Sequence, residues 1–170
     1  MASPADVNLT CCHDTDAATE VDITGAGIDF ISADNCTNTS GNRTSNPITI
    51  PSSGFAYSYE KYLKFELGTT EPDTQVTNFK FWGGGSDPES GVVIDYFRVT
   101  DTGVTPAAAT TNSAYAAMTT ITSDAKQDIT GTLTTQGDAT QFIVMMLEVS
   151  TGASQGNMTQ QTFSYSYDEN

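Results

Sequence analysis

The sequence predicts an all-β protein, an antiparallel β-sandwich of jelly-roll or immunoglobulin-like type with about seven or eight strands. Three observations carry that prediction. Threonine and serine abound, and aromatic and β-branched residues cluster in short runs, the composition of pleated, half-buried strands. No segment sustains the 3.6-residue apolar period of an amphipathic helix. No helix long enough to cross over between parallel partners lies between the strand-like runs, so neighbouring strands run antiparallel.

The elements follow in chain order. EVDITGAGIDFIS (residues 20–32) reads as one or two short strands, and the interval DNCTNTSGNRTSNPITIPSSG after it as a long polar loop. FAYSYEKYLKFEL (55–67) is the clearest strand. Phe55, Tyr57, Tyr59, Leu63, Phe65 and Leu67 fall on one face, and Ser58, Glu60, Lys64 and Glu66 on the other. Lys61 and Tyr62 break the alternation. At roughly 3.3 Å per residue the run would extend about 40 Å, so a bend or bulge is expected near Lys61. TNFKFW (77–82) is the next strand, stopped by Gly83, Gly84, Gly85 and the loop SDPESG; VVIDYFRVT (92–100) follows it. The Ala/Thr-rich stretch up to Met118 allows at most a weak helical turn. DITGTLT (128–134) is short. FIVMMLEVS (142–150) is apolar on both faces, as in a sheet covered on both sides or at a subunit interface. In TFSYSY, Phe163, Tyr165 and Tyr167 form the inward face of a closing strand, with Ser164 and Ser166 opposite. Asp168, Glu169 and Asn170 make a charged stop that discourages strand addition.

The formal net charge is −15, yet charged residues make up only 16% of the chain, against about 25% in a typical domain. The imbalance comes from a shortage of bases, with Lys and Arg numbering 6 against 21 acids. Nucleic-acid binding, which needs basic patches to displace counterions, is therefore not expected. Anionic membranes are disfavoured on the same ground. FIVMMLEV is far too short to span a bilayer, and Met1 leads into SPADVNLT without the basic and apolar regions of a signal peptide. The expectation is a soluble chain made in a cytoplasm.

The three cysteines, Cys11, Cys12 and Cys36, allow one bridge from Cys36 to either of the other two, but buried free thiols are the plainer reading of an odd count. Cys11, Cys12, His13, Asp14 and Asp16 together resemble a metal site, but adjacent ligands seldom close one tetrahedron, and no metal is expected. His13 is the sole histidine, so any hydrolytic triad would need it; it lies in a polar stretch, and no catalytic residue is assigned. Glu60 and Glu66 share a strand face, which reads as solvated charge rather than a glycosidase pair. GGGSDPESG lacks the lysine and helix of a phosphate loop. Trp82 could stack on a sugar, though a core ring is the better default. No cofactor is implied.

Four short motifs recur in an order with a family likeness. They are Tyr59, Glu60, Lys61 and Tyr62; Asn78, Phe79, Lys80, Phe81 and Trp82; Gly91 and Val92; and Tyr167, Asp168 and Glu169. This order resembles a group of small β-sandwich virion proteins of tailed bacteriophages, over residues 52–170. The CCHD region lies outside the likeness. The resemblance implies a non-enzymatic capsid decoration (cement) protein, bound to the major capsid protein on the outer surface of the head. Such a protein would form a homo-oligomer, a trimer in the favoured case. A tail, baseplate or head-tail connector protein is the first rival. The second is a carbohydrate-binding β-sandwich module using Trp82. Residues 1–19 are expected as an N-terminal arm or extended segment reaching a neighbour, and residues 20–170 as a single sandwich domain.

Overall fold

The computed structural model describes residues 6–69, 72, 74–99, 107, 115–156 and 158–170. These hold ten strands: β1 Val7–His13, β2 Thr19–Asp22, β3 Phe55–Tyr57, β4 Lys61–Leu67, β5 Val76–Trp82, β6 Val92–Val99, β7 Ala116–Ala117, β8 Gln127–Ile129, β9 Phe142–Ser150 and β10 Ser164–Glu169. A seven-stranded sheet runs β2-β1-β4-β9-β6-β7, with β3 also paired to β9, and a three-stranded sheet runs β10-β5-β8. Every pairing is antiparallel. The fold is thus an all-β antiparallel sandwich, with somewhat more strands than expected. Its main core takes Leu63, Phe65, Ile143, Met145 and Leu147 from the large sheet and Val76, Phe79, Phe81 and Ile129 from the small one.

The excess of strands comes partly from the long run at residues 55–67, which breaks into β3 and β4. Both parts pair with β9, but the three residues 58–60 stand opposite only Met146 and Leu147. This is the bulge expected near Lys61. Ser58 donates its N–H to the Leu147 carbonyl and accepts from the Leu147 N–H on its Oγ at 3.0 Å. Tyr59 and Glu60 turn away from β9 and donate to Ile31 and to Ala107 instead. The extra residue reverses the facing of everything before it. Leu63, Phe65 and Leu67 enter the main core, whereas Tyr57 lies opposite Glu148 on the outer face, not on the face of Leu63 as its spacing suggested.

Lys61, which interrupts the apolar row, is 1% exposed. Its Nζ donates to the carbonyls of Asn35 at 2.7 Å and Ala33 at 3.4 Å. Burial lowers its pKa to about 8, partly opposed by Asp34 and Asp29. The lysine therefore fastens the 33–35 segment to β4 from inside.

β9 is the centre of the large sheet, flanked by β4 and β3 on one side and β6 on the other. Residues 142–149 are all buried. Ile143, Met145, Leu147 and Val149 meet the small sheet's side, while Phe142 and Val144 join Cys12, Tyr62, Phe97 and Tyr115 on the opposite face. The continuous apolar run is thus covered on both sides.

The expected arm needs correcting. Residues 7–13 are not an appendage but β1, an interior strand between β2 and β4. Val7 and Cys11 enter the main core, with Leu9 packed against it. Residues 1–5 of the expected arm lie outside the described residues, as does most of the Ala/Thr-rich stretch. The polar interval contains a short helix, α1 Ser40–Ser45, whose Asn42 N–H is capped by the Thr39 hydroxyl.

The closing strand packs as its alternation predicts. Tyr165 lies 5.0 Å from Phe65, Tyr167 5.7 Å from Phe79 and Phe163 5.8 Å from Phe81, centroid to centroid, and Phe65 stacks on Phe79 at 5.3 Å. The register of β10 on β5 shifts by one residue between Ser166 and Asp168. Asn78, on the bulged side, has a φ of 57°, a left-handed conformation that asparagine tolerates better than most residues. Its amide donates to Asp168 at 2.7 Å.

Candidate functional site

The cysteines divide in a way that corrects the reading of free thiols. Cys11 on β1 and Cys36 in the long connection form a disulfide with a Cα separation of 5.8 Å, and both are buried. Their neighbour Cys12 faces the opposite side of the sheet as a buried free thiol. Burial pushes its pKa up to about 12, so it carries almost no nucleophilic thiolate at neutral pH.

The bridge brings residues 34–36 against the end of β1. His13, Asp14 and Asp34 present one ligand atom each, all within 4.8 Å of one another. His13 Nδ1 lies 3.2 Å from Asp14 Oδ1. The Asp14 N–H donates to Asp34 Oδ2 at 2.9 Å, and the Thr19 hydroxyl donates to Asp14 Oδ2. That contact and the His13 imidazole hold the Asp14 carboxyl below its usual pKa. Asp34 Oδ1 is shielded from solvent with no hydrogen-bond partner, and His13 Nδ1, also shielded, has only its contact with Asp14. Of the sequence's CCHD group, only His13 and Asp14 join this cluster. Asp34, twenty positions further along in a polar loop, gave no signal in the sequence.

A second acidic feature was not foreseen. Asp95 on β6 and Glu148 on β9 are 4% and 8% exposed, and one oxygen of each, Asp95 Oδ2 and Glu148 Oε2, has no hydrogen-bond partner. Tyr57 on β3 stands opposite Glu148 in the sheet. Desolvation, then the charges of Glu148 and Asp87, push the Asp95 pKa up to about 6. In the unfolded chain it would titrate near 3.8. Between these values the folded chain holds a proton that the unfolded chain has released. This group's stabilisation is therefore full below about pH 4 and is lost as pH rises through about 6. Asp95→Asn, which keeps the shape without the charge, is expected to stabilise the fold by on the order of 1–2 kcal/mol near pH 8, with the difference vanishing near pH 4. Thermal unfolding of both proteins at the two pH values checks this.

The other sequence candidates have structural partners. Glu60 accepts from the hydroxyls of Tyr115 and Tyr62, and Glu66 lies 3.1 Å from Lys64 Nζ. Trp82 is half-buried, and Lys126 Nζ sits 4.2 Å from its ring centroid, so a cation already covers one face that a sugar would use. The glycine triplet lines, with Asp87, Met118 and Phe163, a depression of about 10 Å³, close to the room one water needs. Among the described residues no helix is long and apolar enough to cross a membrane.

Comparison with known proteins returns no match of significance to this chain: no family model, no curated protein and no solved structure.

Proposed function

We propose that the chain is a non-enzymatic structural protein of a tailed-phage virion, a decoration protein that binds the outside of the capsid and stabilises the shell. The observation that carries this reading is the ordered set of four motifs, each of which occupies a strand or turn that builds the sandwich. Tyr59–Tyr62 spans the bulge and the start of β4, residues 78–82 lie in β5, Gly91 and Val92 open β6, and residues 167–169 end β10. Gly91 has a φ of 79°, and a side chain there would meet the backbone of Gly152 and Ala153. The motif therefore needs glycine at that position.

Charge and covalent structure support the same reading. A chain so poor in bases suits the outer surface of a shell better than its DNA-lined interior. A structural disulfide suits a protein that works outside the reducing cell. Stabilisation would come from many modest contacts shared with several capsid subunits, and a homotrimer on a local symmetry axis is the arrangement we favour.

Counting copies in purified particles tests the proposal. A shell protein is expected in hundreds of copies, whereas about six to twelve copies would place it in a tail or connector ring and overturn the reading.

A further inference from the structure

We propose that His13, Asp14 and Asp34 form a binding site for one first-row divalent cation, with Zn²⁺ and Mn²⁺ as the best-suited ions. The inference rests on this cluster alone and does not depend on a capsid role.

One imidazole nitrogen and two carboxylate oxygens are a donor set for borderline and hard divalent ions. The 3.2 Å between His13 Nδ1 and Asp14 Oδ1 is close to the separation of two donors that each sit about 2.0–2.1 Å from a tetrahedral ion. Asp34 completes the group, with one ligand atom from each of the three residues lying within 4.8 Å of the others. The supporting contacts leave one oxygen of each carboxylate available. Asp14 Oδ2 is held by Thr19 and Asp34 Oδ2 by the Asp14 N–H, so Asp34 Oδ1 remains, and Asp14 Oδ1 meets only His13 Nδ1. This is the outer-shell arrangement that orients metal-ligating carboxylates.

Asp34 Oδ1 is shielded from solvent and has no hydrogen-bond partner, and the equally shielded His13 Nδ1 meets only Asp14 Oδ1, an arrangement that is costly unless something else satisfies the carboxylate oxygen. A cation would satisfy Asp34 Oδ1 while taking the place of the proton between His13 and Asp14. The site is also pre-assembled. Asp34 is two residues from Cys36, whose disulfide to Cys11 is two residues from His13. The bridge therefore removes much of the entropy that bringing a loop carboxylate to the strand end would otherwise cost. Three protein donors leave the remaining coordination positions to water.

The test uses the full, oxidised chain stripped with chelator and titrated calorimetrically with ZnCl₂ and, separately, MnCl₂ near pH 7.5. Saturable uptake of one equivalent of either ion is expected. His13→Ala and Asp34→Asn should each weaken it by at least about tenfold. Asp14→Asn should do the same, and because Asp14 is mostly exposed its loss leaves the core intact, which separates lost binding from lost folding. Circular dichroism of each metal-free variant checks the fold directly. No saturable uptake of either ion would overturn the proposal. So would uptake that these substitutions leave unchanged, the signature of diffuse binding to a chain of charge −15.

Discussion

Replacing Cys36 with serine in an otherwise intact chain is expected to cost about 3–4 kcal/mol of folding stability, the loop-closure value for cysteines 25 positions apart. In a domain of this size that is a fall in melting temperature of roughly 10 °C. The bridge is the one covalent tie between β1 and the long connection that carries α1, Ile31 and the carbonyls around Lys61. Thermal unfolding with and without reductant provides the same comparison on the unmodified chain. Reduction should move the wild-type protein to the variant's transition and leave the variant unchanged. A wild-type transition insensitive to reduction would mean that packing alone holds the connection in place.

Deleting residues 162–170 is expected to have the larger effect, abolishing cooperative unfolding rather than shifting it. The segment removes all of β10 and the Phe163 ring before it. It strips Tyr165 and Tyr167 from Phe65 and Phe79, and Phe163 from Phe81. The exposed partners are 0%, 1% and 1% accessible in the intact fold. Three aromatic side chains at about 1.5–3 kcal/mol each approach the whole stability of an ordinary domain. The small sheet would be left with β5 and a three-residue β8, below the strand number that is stable alone. Scanning calorimetry of the truncated chain decides the matter. An unchanged melting temperature would make β10 an interface element instead of part of the core.

Much of this architecture could be read from the chain, for identifiable reasons. β9 declares itself because no polar residue interrupts residues 142–147, and β10 because its rings alternate with serines. The bulge was visible as a strand too long to stay straight. Its consequence was not, because one inserted residue transfers Tyr57 to the other face, and only the register on β9 reveals where the insertion falls. β1 was open to discovery. Val7, Leu9 and Cys11 alternate with Asn8 and Thr10, a period-two pattern that appears once cysteine is counted as apolar.

The candidate sites were harder to read than the fold. His13 and Asp14 are adjacent in sequence, but Asp34 joins them through a disulfide whose pairing no spacing rule determines. Asp95 and Glu148 lie on neighbouring strands 53 positions apart and meet only through the β6–β9 register. Lys61 looked like an interruption of a buried face. The carbonyls that make its burial tolerable come from a loop more than twenty-five residues away.

The position of β9 has a consequence for synthesis. The strand that joins β4 to β6 is the ninth of the ten described, so the large sheet cannot close until residue 150 has left the ribosome. Until then β1 can pair with β4, but the edges of β4 and β6 that flank β9 have no partner. The nascent chain thus carries apolar strands with open edges for most of its translation, at about 5–20 residues per second. Completion of the large sheet is consequently a late event in synthesis.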